Sequence, residues 1–224
     1  MRFTLTVLAA AFSVVTHASA GEFALKTADA AAPKELGESI RGVLQSKALQ
    51  LTEDGKPALD LWLRQEVPLK SKPAGANEAL NAIGEATLVG AVTVHTASFR
   101  DYKDNEIPKG NYTARFVPQP KDGDHLGTAD YDSFLVLVAV ENDKELNGLS
   151  GFRPVVKASG KSTASGHPLI LSLRPAAADG TIPRLTEPAS EHKAVRVKVP
   201  AKAGADEKAD LVFDLVYKGH GHIQ

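Results

Sequence analysis

After Leu44 the chain is written largely with a period of two. Leu59, Leu61 and Leu63 alternate with Asp60, Trp62 and Arg64, and Val195, Val197 and Val199 alternate with Arg196 and Lys198. Successive side chains of a strand point to opposite faces, so this spacing suits a half-buried sheet and not a helix of period 3.6. Leu49 and Leu51 lead into Glu53-Asp54-Gly55-Lys56, and an Asp-Gly between alternating runs is a hairpin signal, because both turn residues accept positive φ. Further runs follow at 86–96, 111–117, 169–173, 194–199 and 211–217. Residues 134–140 are continuously apolar, as a central strand covered on both faces would be. The pattern predicts a mainly β chain, an antiparallel β-sandwich of about eight strands with one short N-terminal helix. That helix is placed after Pro33, where Leu36, Ile40, Val43 and Leu44 fall at helical spacing, weakened by Gly37 and Gly42. The stretches 66–81, 158–166 and 176–190 read as long polar loops.

The start of the chain has the organisation of a secretory signal peptide. Arg2 supplies the positive region, an apolar run extends from Leu5 to Val15, and Ala18-Ser19-Ala20 offers small residues for cleavage before Gly21. The expected organisation is a signal peptide at 1–20, an alanine-rich linker at 21–32 and a single β-sandwich domain at 33–222. The expected location is the periplasm or the cell exterior. The leader's apolar run is shorter than the roughly 20 residues of a spanning helix, and no later run is long and apolar enough, so no transmembrane segment is expected.

Composition removes several function classes. With no cysteine there is no disulfide scaffold, zinc finger, iron–sulfur cluster or thiol nucleophile. A net charge of -1 offers no electrostatic drive toward nucleic acid. Gly160-Lys161-Ser162 ends like a phosphate-binding loop, but Val155 stands where its first glycine is required. Asp122, Asp124 and Gly127 match positions of a calcium loop, yet Leu126 and Ser133 occupy two of its ligand positions. There is neither a G-x-S-x-G elbow nor an H-E-x-x-H helix.

One segment concentrates chemistry. Lys121-Asp122-Gly123-Asp124-His125-Leu126-Gly127-Thr128-Ala129-Asp130-Tyr131-Asp132 brings four carboxylates and an imidazole to the start of the most apolar strand. Carboxylates with imidazole can hold a hard metal or exchange protons, and Asp and Gly also shape turns. His167-Pro168 opens another strand, so Asp122, Asp124, His125, Asp130 and His167 form the candidate ligand set, with His125, His167 and Asp124 the metal candidates. His220 and His222 sit on the terminal tail, while His95 and His192 read as ordinary strand or surface positions. Trp62, outward with Asp60 and Arg64, reads as a tryptophan packed under a loop.

Ile107-Pro108-Lys109-Gly110-Asn111-Tyr112-Thr113-Ala114-Arg115-Phe116, running on through Asp122-Gly123-Asp124-His125-Leu126-Gly127 to Phe134-Leu135-Val136-Leu137, resembles a family of exported bacterial proteins of unknown function. Leu59-Asp60-Leu61-Trp62-Leu63-Arg64 and Gly166-His167-Pro168 resemble it too. The resemblance implies export and a β-sandwich-like fold, and it carries no catalytic residue.

Three functional readings stay open, the third being a structural partner of a larger envelope assembly whose edge strands pair with another chain. The first is an exported, non-catalytic binding module with an envelope or extracellular partner and no cofactor. The second is a metal-binding or metal-dependent protein using His125, His167 and Asp122 or Asp124, the one reading under which a divalent metal enters.

Overall fold

The computed structural model describes residues 22–97, 99–120 and 130–219. They are mainly β. In chain order the strands are β1 (Phe23–Asp29), β2 (Lys47–Glu53), β3 (Lys56–Leu63), β4 (Val67–Leu69), β5 (Leu88–Val94), β6 (Gly110–Pro118), β7 (Ser133–Ala139), β8 (Leu169–Pro175), β9 (Arg184–Thr186), β10 (Lys193–Ala203) and β11 (Glu207–Lys218). All belong to one sheet of order β1-β2-β3-β5-β6-β7-β8-β11-β10-β4, with β9 added beside β10. Neighbours are antiparallel except β4, which runs parallel to β10.

The sheet curls into a half-barrel, so its concave face is closed by its own margins. Phe23 of β1 lies 4.9 Å from the Tyr217 ring of β11, and Lys218 pairs with Glu53 at 2.5 Å. The inward residues of nine strands, among them Leu59, Leu61, Val92, Phe116, Leu135, Leu171, Val197 and Phe213, fill the concavity as one apolar core. The expected eight-strand sandwich is therefore replaced by one curled, mixed sheet. Its cause is local: only Arg64, Gln65 and Glu66 separate β3 from β4, so the chain leaves one part of the sheet and pairs at its far margin.

Two patches of the convex face are covered. On the first, α1 (Glu38–Arg41) and its flanks place Leu36, Ile40 and Leu44 against Trp62 and Ala91. Trp62 is buried there, and its Nε1–H donates to the Ala30 carbonyl at 2.7 Å. On the second, α2 (Phe152–Gly160) lays Val155 and Ala158 over Val117, Val136 and Val138. Ser159 fastens it: its Oγ donates to the Leu137 carbonyl at 2.6 Å and accepts the Leu169 N–H at 2.9 Å. Between the two patches lies a buried ion pair. Arg115 donates through Nε and Nη2 to the Asp143 carboxylate at 2.6 and 2.9 Å, and to the carbonyls of Ala86, Glu145 and Leu146.

Three further expectations are corrected. The predicted linker contains β1, a margin strand whose side chains are largely exposed and so lack a strong apolar pattern. The loop predicted at 66–81 contains β4, one 3-10 turn and the start of a second. The expected short N-terminal helix is present as α1, but it is not alone: α2 is a second helix, beginning at Gly151 in the left-handed region without a side-chain cap.

Candidate functional site

Asp130, Tyr131 and Asp132 are the described end of the acidic segment and lead into β7. The Gln119 N–H donates to the Asp132 carbonyl at 2.8 Å, next to the Pro118–Ser133 pair of the ladder. The β6–β7 connection is thus pinned at its base by backbone bonding. Asp122, Asp124 and His125 lie outside the described residues. Asp130 and Asp132 are exposed, Tyr131 is buried, and with Ser133 they line a cleft of about 250 Å³. Its other walls are Asn77, Leu80 and Asn81, from the 3-10 turns after β4, and Leu173, Arg174 and Pro175, from the end of β8. Leu80 and Leu173 belong to the concave core and give the cleft an apolar floor. The rim carries two carboxylates, two amides and one guanidinium.

Behind the cleft Tyr131 is held in place. Its hydroxyl shares a hydrogen bond of 2.6 Å with Nδ1 of His192, which is 2% exposed. The Tyr102 ring packs edge-on against both, at 5.4 Å from Tyr131 and 5.3 Å from His192. Gly219 lies so close over the His192 ring that a Cβ there would collide with it. Burial pushes the phenols of Tyr102 and Tyr131 up to about 12, so both are neutral hydrogen-bonding groups at ordinary pH. Arg174 is exposed and braced through Nη1 to the Pro188 carbonyl at 3.1 Å.

The neighbouring charges are committed to the fold. Arg196 donates from Nε and Nη2 to the fully buried Asp214 carboxylate at 2.8 and 3.0 Å, and these charge-assisted bonds raise its pKa further. Thr186 donates to the same carboxylate at 3.2 Å. On the convex face His95 pairs with Asp60 through Nε2 at 2.9 Å.

His167 does not reach this cleft. It is exposed in the connection from α2 to β8, where its carbonyl accepts the Thr163 hydroxyl at 2.8 Å and its N–H donates to Ser165 at 3.3 Å. β8 runs from the Leu169–Leu137 pair to the Leu173–Ser133 pair. At about 3.3 Å per residue His167 stands about 20 Å along the strand from the cleft. Asp130 and His167, the two described members of the predicted set, are therefore at opposite ends of β8. Among the described residues, no three of His, Asp and Glu gather in a group able to hold a metal ion.

Residue spacing does not single out Asn77, Asn81, Arg174 or His192. The two amides lie in a polar stretch without periodicity, and Arg174 occupies an ordinary outward position of its strand. His192, by its spacing a surface or strand position, is instead buried beside a tyrosine 61 positions earlier, a pairing that no local spacing signals. Comparison with family models, curated proteins and solved structures finds no match for this chain.

Proposed function

We propose that this chain is an exported β-domain that acts by binding and not by bond-making, a recognition module of the periplasm or cell exterior. Its ligand site is the cleft rimmed by Asp130, Asp132, Asn77, Asn81 and Arg174. The observation that carries the reading is this rim of mixed donors and acceptors converging over an apolar floor, an arrangement in which polar groups fix the orientation of a small ligand. Two further features support it. Tyr131 is locked by His192, so part of the wall is organised before a ligand arrives. The buried carboxylates Asp143 and Asp214 are each gripped by a guanidinium, and hold the fold together. Export rests on the leader pattern of Arg2, the apolar run and Ala18-Ser19-Ala20.

The test is a thermal-shift survey of the purified protein with neutral monosaccharides, amino acids, calcium and zinc, each as a separate arm. A ligand present at about 100 times its Kd adds about 2.7 kcal/mol, a rise of about 5–10 °C for a chain of this size. The expected result is a rise with one organic class that Arg174→Ala and Asp132→Ala both abolish. A rise with zinc or calcium, lost in both His125→Ala and His167→Ala, would replace this reading by the metal site of His125, His167 and Asp122 or Asp124.

A further inference from the structure

Arginine grips carboxylates in this fold by one edge of its guanidinium. Arg115 donates from Nε and Nη2 to Asp143 at 2.6 and 2.9 Å, and Arg196 donates from the same two atoms to Asp214 at 2.8 and 3.0 Å. That edge matches the two oxygens of a carboxylate, so each pair is bidentate. Arg174, on the rim of the cleft, is held differently. Its Nη1 donates to the Pro188 carbonyl at 3.1 Å, and among the described residues its Nε–Nη2 edge has no acceptor.

Carboxylates stand on both sides of Arg174 in the sheet. Asp214, across from it on β11, is already taken by Arg196. On the other side Ser133 of β7 pairs with Leu173 of β8, and the same register continued by one residue sets Asp132 across from Arg174. Asp130, Asp132 and Arg174 are exposed, and among the described residues none of the three is in an ion pair. Arg174 and Asp130 both lie close enough to Tyr131 for their charges to act on its phenol, in opposite senses. The cleft therefore offers an open guanidinium fork from the end of β8 and two carboxylates from the approach to β7.

Resting on the reading of this cleft as a ligand site, we infer that its ligand is a free α-amino acid with an apolar side chain, held as a zwitterion. The Arg174 edge takes the carboxylate, Asp130 and Asp132 take the ammonium, and the side chain lies on the floor made by Leu80 and Leu173. The size agrees: about 250 Å³ is below the roughly 300–1,000 Å³ of sites for drug-sized molecules and suits a ligand as small as an amino acid. Charge separates this ligand from its competitors. A neutral sugar would leave the fork and both carboxylates without counter-charges. A simple carboxylic acid would answer the fork but bring a third negative charge beside Asp130 and Asp132.

The probes are L-leucine, leucinamide, which lacks the carboxylate, N-acetyl-leucine, which lacks the ammonium, and glucose. Each is titrated into the purified protein by calorimetry and by amide mapping. Leucine should bind with shifts at Asp130, Asp132 and Arg174, and each truncated analogue should bind about tenfold more weakly or worse. Variants then assign the two ends. Arg174→Lys keeps the charge and loses the fork, so it should weaken leucine and leave leucinamide unchanged. Asp130→Asn combined with Asp132→Asn should weaken leucine and leave N-acetyl-leucine unchanged. Leucinamide or N-acetyl-leucine binding as tightly as leucine would overturn the inference, as would leucine shifts confined to other parts of the sheet. Glucose at the cleft amides in place of leucine would overturn it while the cleft stood as a ligand site. Cleft amides unmoved by these four probes and by every class of the thermal survey would remove the cleft reading as well.

Discussion

Truncating Asp143 to alanine should cost about 3 kcal/mol, the low end of the 3–5 kcal/mol for removing one partner of a buried ion pair. The structure sets that choice within the range. Asp143 is 2% exposed and Arg115 1%, so the guanidinium left behind has almost no access to water. It would lose two charge-assisted bonds, at 2.6 and 2.9 Å, and Thr113 would lose its carboxylate acceptor. Three backbone carbonyls, those of Ala86, Glu145 and Leu146, would still accept from Arg115 and limit the damage. For a chain of this length the thermal midpoint should fall by about 6–12 °C. Urea unfolding of Asp143→Ala, Arg115→Met and the double variant gives the coupling. The double variant should cost about 2 kcal/mol less than the sum of the two single variants, because the second truncation removes a charge already stranded. A cost below about 1 kcal/mol for Asp143→Ala, or simple additivity, would refute the view that this pair anchors the 143–146 segment to β6.

Gly160→Ala would place a Cβ against the Gly166 carbonyl oxygen, a backbone atom with little freedom to move, and should destabilise by about 1–3 kcal/mol in urea unfolding. A neutral result would mean that the turn after α2 is looser than described. Trp62→Phe removes the donor to the Ala30 carbonyl and should cost about 1 kcal/mol or more, while the single tryptophan of the native protein should show the blue-shifted emission of a buried indole. Emission like that of free tryptophan would contradict the cover over Trp62. All four tyrosines have phenols raised by burial, Tyr102, Tyr112 and Tyr131 to about 12 and Tyr217 further still. The neutral phenol is favoured by the fold, so the associated stability is fully present below the unfolded value near 10 and is lost as pH rises toward 12. Absorbance titration should show no tyrosine ionising near pH 10 in the native protein, and unfolding should accompany ionisation.

Much of the sheet can be read from residue spacing, because each strand of the half-barrel faces the core on one side. The Asp54-Gly55 turn joins β2 to β3 with both residues at positive φ, as the hairpin signal requires. The unbroken apolar run of β7 is covered twice, with Leu135 and Leu137 in the concave core and Val136 and Val138 beneath α2. Spacing fails where burial does not shape the residues or where the partner is remote. β1 is a margin strand and looks like a linker; β4 has three residues whose parallel partner lies more than 130 positions downstream. α2 carries Pro154 in its first turn and glycine at both ends, so its sequence resembles a loop. For the site, the density of carboxylates around Asp130 marks it in the sequence, but Arg174 and the two asparagines come from distant segments joined by the curl of the sheet.

The central claim is that the cleft beside Tyr131 binds a ligand. The most direct measurement is two-dimensional amide mapping of the isotope-labelled protein against whichever class raises the thermal midpoint. Shifts should be concentrated at Asp130, Tyr131, Asp132, Arg174, Asn77 and Asn81 and be weakened together by Arg174→Ala. Shifts centred on His167, with those six amides unmoved at saturation, would contradict it.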